Sequence, residues 1–306
     1  MEHISVLLKE AVQDLNIKQN GLYVDCTLGG GGHAEAILKQ LKNGHLFAFD
    51  QDKYAIERAR LRLEPYQEKL TIIHDNFVNI KEVLSKRGIT HVDGILYDLG
   101  VSSFHFDDDE RGFSYQSDAP LDMRMDQSQS LTAHTIVNTY DAKTLKQILY
   151  TYAEETFAPN IVKAILEARD KAPIETTMQL VKIIKSALPQ KVLRKKGHPA
   201  KKTFQALRIA VNDELRVFED SLKKALDLLN TEGRIVVISF HSLEDRITKQ
   251  VFKAASTVQH PQGLVTMPET TPDFSLVHRK VITPTESEIK DNRRAHSAKL
   301  RTLRKL

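Results

Sequence analysis

The chain has 306 residues and one cysteine, Cys26, so it can form no internal disulfide and no cysteine-based zinc site. That usage suits a reducing cytosol, and Cys26 itself reads as a small buried residue at a strand end. No run of 18 apolar residues occurs, so no membrane span is expected. The first ten residues, MEHISVLLKE, lack an apolar stretch of signal-peptide length. These absences together predict a cytoplasmic protein with no membrane partner. Charge of one sign is also scarce: 44 Lys and Arg against 40 Asp and Glu give a net charge of only +4. A nucleic-acid partner must therefore be argued from local charge. No G-x-S-x-G elbow is present, which removes the usual serine-hydrolase reading. Four contiguous acids, Asp107 to Glu110, make a poor preformed cage, and no metal is expected.

What the chain does have is alternation. Short apolar runs at 22–25, 45–49, 70–74 and 92–99 read as strands. Helical spacing lies between them at 33–41, 53–63 and 78–87. This pattern predicts an α/β fold, a parallel sheet with helices on both faces. The alternation then stops. Residues 103–129 are polar and turn-rich, and 130–190 is helical only, with Ser130, Asp141 and Thr176 or Thr177 as N-caps. One long helical stretch at 203–229 precedes a fifth strand at 234–240, and 256–287 reads as irregular.

Gly29-Gly-Gly-Gly32 follows the first strand and opens a helix, which lets a ligand approach the backbone closely. The G-x-G-x-x-A match from Gly29 to Ala34 serves a dinucleotide or an adenosine-type cofactor equally. Asp50, at the end of the second strand, can accept both ribose hydroxyls. Asp25, just before the loop, opposes a pyrophosphate but suits a cationic sulfonium. Phe77, after the third strand, offers an adenine wall, and Asp98 ends the fourth strand. Parallel strands put all of these ends at one crevice. His33 reads from the residues alone as a helix-start or surface histidine.

Two basic runs stand out. Lys191 to Lys202 holds Lys191, Arg194, Lys195, Lys196, Lys201 and Lys202 with no acid, and 291–306 holds six basic residues with one acid. Either can follow an RNA backbone. Tyr115, Phe113 and Phe204 are candidate stacking residues for a splayed base. His241 and Ser242, after the fifth strand, are candidates for contacting the target base. Glu244 and Asp245 read as helix-start carboxylates.

Long segments resemble the ribosomal RNA small subunit methyltransferase H family. They are HISVLLKEAV (3–12), VDCTLGGGGH (24–33), FAFDQD (47–52), DGILYDLGVSS (93–103), ERGFSY (110–115) and PLDMRMD (120–126). HPAKKTFQALRIAVNDEL (198–215), ISFHSLEDR (238–246) and RRAHSAKLR (293–301) complete them, so the resemblance runs nearly the full length. It implies a Rossmann-like S-adenosylmethionine-dependent methyltransferase with an inserted all-helical domain. The parts would be a methyltransferase domain at 1–108, a helical substrate-recognition domain at 109–200, and a completing part at 201–306 with a basic tail. It further implies N4-methylation of a cytidine in the decoding region of 16S rRNA within the small ribosomal subunit, and leaves a homodimer open. The implied cofactor contacts are Gly31, Gly32, His33, Asp50, Phe77, Asp98 and His105, with Asp98 nearest the reacting centre. Many family members carry SSPQ where this chain has Ser102-Ser103-Phe104-His105, so His105 would replace a glutamine and would make cofactor binding pH-sensitive. An oxidoreductase using the same glycine loop with NAD, and a non-catalytic ribosome-assembly factor, stay open as alternatives.

Overall fold

The computed structural model describes residues 5–100, 109–258 and 271–306. The chain divides into two units, Met1–Gly100 with Leu215–Leu306, and Val101–Glu214. The first unit is built on a seven-stranded sheet: β1 (Leu22–Asp25), β2 (His45–Asp50), β3 (Leu70–His74), β4 (Val92–Asp98), β5 (Leu229–Ser239), β6 (Phe274–Leu276) and β7 (Lys299–Lys305). The spatial order is β3-β2-β1-β4-β5-β7-β6. Strands β1 to β5 are parallel; β7 runs antiparallel to both β5 and β6.

Both sheet faces are covered, and the side chains divide between them with the period of two that a pleat imposes. Val24, Phe47, Phe49, Ile95, Tyr97, Ile235 and Val237 pack into one core with helices α4 (Ile80–Ser85), α11 (Glu214–Leu228) and α12 (Ser242–Ala255). Tyr23, Leu46, Ala48, Leu96, Val236 and Ile238 pack into the other with α1 (Leu8–Leu15), α2 (Gly32–Leu38) and α3 (Lys53–Leu63). This is the expected α/β architecture. No helix among the described residues is long and apolar enough to cross a membrane.

The second unit is helical: α5 (Ala133–Thr139), α6 (Ala142–Ala153), α7 (Ala158–Arg169), α8 (Thr177–Ala187), α9 (Gln190–Leu193) and α10 (Lys201–Asn212). Asp141 caps α6 by accepting the Thr144 N–H at 2.8 Å, and Thr176 closes a capping box with Gln179. The cap of α5 is Thr132, not Ser130.

Three further sequence expectations differ from the structure. The single helix at 203–229 is two helices, broken at Asp213 in the left-handed region with φ of 50°. Arg208 and Glu214 bracket that break with two hydrogen bonds of 2.8 and 2.9 Å. The boundary at 201 expected from the sequence places helix α10 in the completing part. Its Phe204, Leu207 and Val211 instead pack into the core of the helical unit, so that unit runs to Glu214. The basic C-terminal run, expected as a tail that can follow an RNA backbone, contains the strand β7. Arg301 donates to Asp245 at 2.7 Å, Lys299 lies 3.3 Å from the same carboxylate, and Lys305 donates to the Leu229 carbonyl at 2.8 Å.

Candidate active site at the strand tips

Parallel pairing brings the C-terminal ends of β1, β2, β3 and β4 to one edge, and the chain ties them there. The Leu28 N–H donates to the Phe49 carbonyl at 2.9 Å, linking the glycine loop to the end of β2. Thr27 clasps β1 to β4. Its N–H donates to Asp25 Oδ1 at 2.9 Å, while its hydroxyl accepts the Asp98 N–H at 2.7 Å. Asp25 and Asp98 thus sit side by side because one short hydroxyl spans two strands.

Asp25 is 1% exposed. Its Oδ2, like Oδ1 of Asp98, is buried without a hydrogen-bond partner among the described residues. Burial pushes the Asp25 carboxyl up to about 6; the Thr27 N–H and the charge of His33 only partly offset it. Two neighbouring acids with unsatisfied buried oxygens are costly unless a donor or cation completes them.

His33 lies in the first turn of α2 and is 5% exposed, so it is not a surface histidine. Its Nε2 lies 3.1 Å from the Val6 carbonyl, and its Nδ1 3.4 Å from Asp98 Oδ2. Both neighbours are acceptors, and only the doubly protonated ring can donate to both. Burial pulls the His33 pKa down, but the hydrogen bond and charge of Asp98, with Asp25, outweigh it and hold it above the ordinary value.

The glycine loop carries the backbone past these groups. Gly31 has φ of 76°, a conformation that side chains rarely adopt. Gly32 is required for a different reason: a Cβ there would fall 2.0 Å from the Ser5 hydroxyl. Asp50 turns its carboxylate back over the loop. Its Oδ2 accepts the Gly29 N–H and its Oδ1 the Asp52 N–H, both at 2.8 Å.

Phe77 follows β3 in a short 3-10 turn, Phe77–Asn79. Its ring is edge-on to Tyr97 at 5.7 Å, and its carbonyl accepts the Ser221 hydroxyl at 2.9 Å. Ser221 and Tyr97 share a further 2.7 Å hydrogen bond inside the core. Half-buried Phe77 is therefore held by a polar chain beneath it.

Gly31, Gly32, His33, Asp50, Phe77 and Asp98 all belong to these strand tips, whereas His105 lies outside the described residues. His241 is the N-cap of α12, where its Nδ1 accepts the Glu244 N–H at 3.4 Å. Ser242, the next residue, is exposed. Glu244 and Asp245 do stand at the helix start, and Asp245 also pairs with β7. Arg194, Lys195, Lys196, Lys201 and Lys202 are exposed on the helical unit; Lys202 donates to the Glu154 carbonyl at 3.1 Å. Phe113 and Phe204 are core residues, 4% and 3% exposed. Sequence reasoning missed Ser5, Val6, Thr27, Tyr97 and Ser221. Ser5, Val6, Thr27 and Tyr97 fall within the motif segments, which could have flagged them, whereas Ser221 lies outside every one and nothing in the sequence ties it to Phe77.

The profile of the MraW methylase family matches residues 1–306. The ribosomal RNA small subunit methyltransferase H of Limosilactobacillus fermentum is 55% identical over 308 residues, covering 99% of this chain and 98% of that one. The protein of the same name from Streptococcus mutans is 54% identical, again over 99% and 98%. Among solved structures, an rRNA methylase from Streptococcus thermophilus is 11% identical with a TM-score of 0.44, covering 98% of this chain and 93% of that one. SMU.1697c from Streptococcus mutans, solved in complex with SAH, is 13% identical with a TM-score of 0.44 and 99% coverage of both chains.

Proposed function

The chain belongs to the MraW methylase family, and from that premise we propose that it methylates N4 of a cytidine in the decoding region of 16S rRNA, using S-adenosylmethionine. It is a small-subunit rRNA methyltransferase, as its relatives of 55% and 54% identity are named. One observation carries the site: the two buried, unsatisfied carboxylate oxygens of Asp25 and Asp98 on adjacent strand tips.

The residues present fit the cofactor. Gly31 and Gly32 keep the backbone bare, Asp50 brings a carboxylate to the loop for a ribose diol, Phe77 offers an apolar wall for adenine, and Asp25 and Asp98 supply negative charge toward a cation. The buried Asp25 carboxylate disfavours a pyrophosphate, and so a nicotinamide dinucleotide. When bound, the cofactor supplies a methyl group made electrophilic by its sulfonium.

The chain's own residues answer the difficulty of the acceptor. The cytosine amine is a weak nucleophile because its lone pair is delocalised into the ring. A carboxylate that accepts an N–H hydrogen bond orients the amine and stabilises the charge that develops on nitrogen. Asp98 takes that role. Thr27 holds its backbone, His33 holds Oδ2, and Oδ1 remains to meet a donor. No covalent enzyme intermediate is needed. Phosphate contacts fall to Arg194, Lys195, Lys196, Lys201 and Lys202, and His241 and Ser242 stand as contacts to the target base.

The test is transfer of labelled methyl to immature small subunits, followed by nucleoside analysis. Label in N4-methylcytidine is expected, and Asp98→Ala is expected to abolish it in a chain that still folds cooperatively, at a melting temperature lowered by the loss of the His33 partner. Near-normal turnover by Asp98→Ala would remove the assigned role.

A further inference from the structure

Within the helical unit, the rings of Tyr115 and His198 stack with centroids 4.5 Å apart and planes 13° from parallel. Phe204, from α10, braces Tyr115 edge-on at 5.8 Å. Phe204 is core, but Tyr115 and His198 are only half-buried. The pair is a rigid aromatic step at the surface, positioned by a buried wall.

Its polar edges are unused. The Tyr115 hydroxyl and His198 Nε2 make no hydrogen bond among the described residues. His198 Nδ1 accepts the Ala200 N–H at 3.3 Å. Burial, with the nearby Lys185 charge, holds the His198 pKa below its ordinary value. A neutral ring whose Nδ1 accepts must carry its proton on Nε2, so the free edge is a donor.

The surroundings are cationic. Lys185, Lys191, Arg194, Lys195 and Lys196 are exposed. His198 leads into the N-terminus of α10, whose cap, Ala200, supplies no side-chain acceptor, leaving that positive helix end toward the same segment.

We propose that the Tyr115–His198 step, with Lys195 and Lys196 beside it, is a nucleotide subsite for a single-stranded segment of RNA. One base lies against the step, its edge or ribose accepts from His198 Nε2, and the flanking phosphates meet the lysines. Stacked aromatic rings flanked by basic side chains are the chemistry that holds unpaired nucleotides. The subsite rests on the RNA-substrate reading and deepens it.

The experiment measures binding of a labelled 12-nucleotide single-stranded RNA to the full-length protein by fluorescence anisotropy, across a salt series. His198→Ala is expected to weaken binding about fivefold or more, as loss of a stacking ring does, while His198→Phe retains most of the affinity. The exposed double variant Lys195→Ala/Lys196→Ala lowers the slope of log affinity against log salt by about 1.4, the value for two phosphate contacts on a single strand. That pair lies outside any core, so it decides the matter even if His198→Ala melts early. Unchanged affinity and slope in these variants overturn the subsite, as does equal loss in His198→Ala and His198→Phe. If His198→Ala impairs only the methylation of assembled subunits, the step faces a protein and the proposal falls. A wild-type chain that binds S-adenosylmethionine but neither binds nor methylates RNA sinks the functional reading instead, which separates the two failures.

Discussion

His33 Nδ1 lies 3.4 Å from Asp98 Oδ2, and the same imidazole reaches the Val6 carbonyl at 3.1 Å through its other nitrogen. One buried imidazole thus links the segment before α1, the first turn of α2 and the tip of β4. Removing it leaves Asp98 without its charge partner, and breaking such a buried pair costs about 3 kcal/mol. The folded His33 pKa is raised. Its contribution is therefore full below the unfolded value near 6.5 and disappears as pH climbs through the higher folded value. Urea unfolding of wild type and His33→Ala is expected to differ most near pH 6 and to converge toward pH 9. A gap that stays constant with pH would mean the pair is not ionic.

Asp25 has the same sign in a more acidic window. Its folded pKa of about 6 exceeds the ordinary 3.8, so the folded state holds the proton more tightly and loses stability as pH rises between those values. The rise corresponds to about 3 kcal/mol, fully felt above pH 6. Asp25→Asn keeps an acceptor for Thr27 and is expected to raise the melting temperature at pH 7.5. A cationic cofactor favours the ionised acid, so wild-type affinity for S-adenosylmethionine is expected to climb as pH passes 6. The variant is expected to bind weakly and without that slope. Calorimetric titration from pH 5 to 8 decides it: a slope that survives in Asp25→Asn belongs to another group.

Ser221 acts on the site from beneath. It donates to the Phe77 carbonyl and shares a hydrogen bond with Tyr97. Ser221→Ala leaves the fully buried Tyr97 hydroxyl without that partner, at about 1–3 kcal/mol. If Phe77 is the adenine wall, the KM for S-adenosylmethionine is expected to rise about tenfold with kcat nearly unchanged, the pattern of lost uniform binding. A fall in kcat at unchanged KM would remove Ser221 from that role.

Gly32 and Ser5 form a testable steric pair. Alanine at 32 would drive its Cβ to 2.0 Å from the Ser5 hydroxyl, whereas the Ser5 Cβ lies 3.3 Å away. Gly32→Ala is expected to destabilise by about 1–3 kcal/mol, as overpacking does, and Ser5→Ala in the same chain to recover most of it. Thermal unfolding of the two single variants and the double variant measures the coupling. Simple additivity would show that the loop, not the serine, demands glycine there.

The parts of this protein that were readable in its sequence are those governed by neighbours along the chain. Strands β1 to β4 are legible because each is a short apolar run bounded by polar turns, as strands covered on both faces are, and Asp50 and Asp98 could be placed because they end such runs. Asp141 and Thr176 were legible as caps because a cap bonds two or three residues ahead. What was lost depends on distant partners. Strand β7 read as a basic tail because Lys299 and Arg301 are answered by Asp245, more than fifty residues earlier. His33 looked like a helix-start residue because Asp98 and Val6, which bury its charge, are not near it in sequence. The unit that α10 joins is not legible in the sequence, because an apolar stripe at helical spacing does not say which core it will enter.

Strand β4 ends at Asp98, and β5, which lies against it, begins at Leu229. A ribosome making this chain finishes the first four strands long before the one that covers β4 exists. Until then the half-made sheet presents a naked rim, and the helical unit, with its own core, can form in the interval. Translation pauses within 101–214 would prolong that exposure.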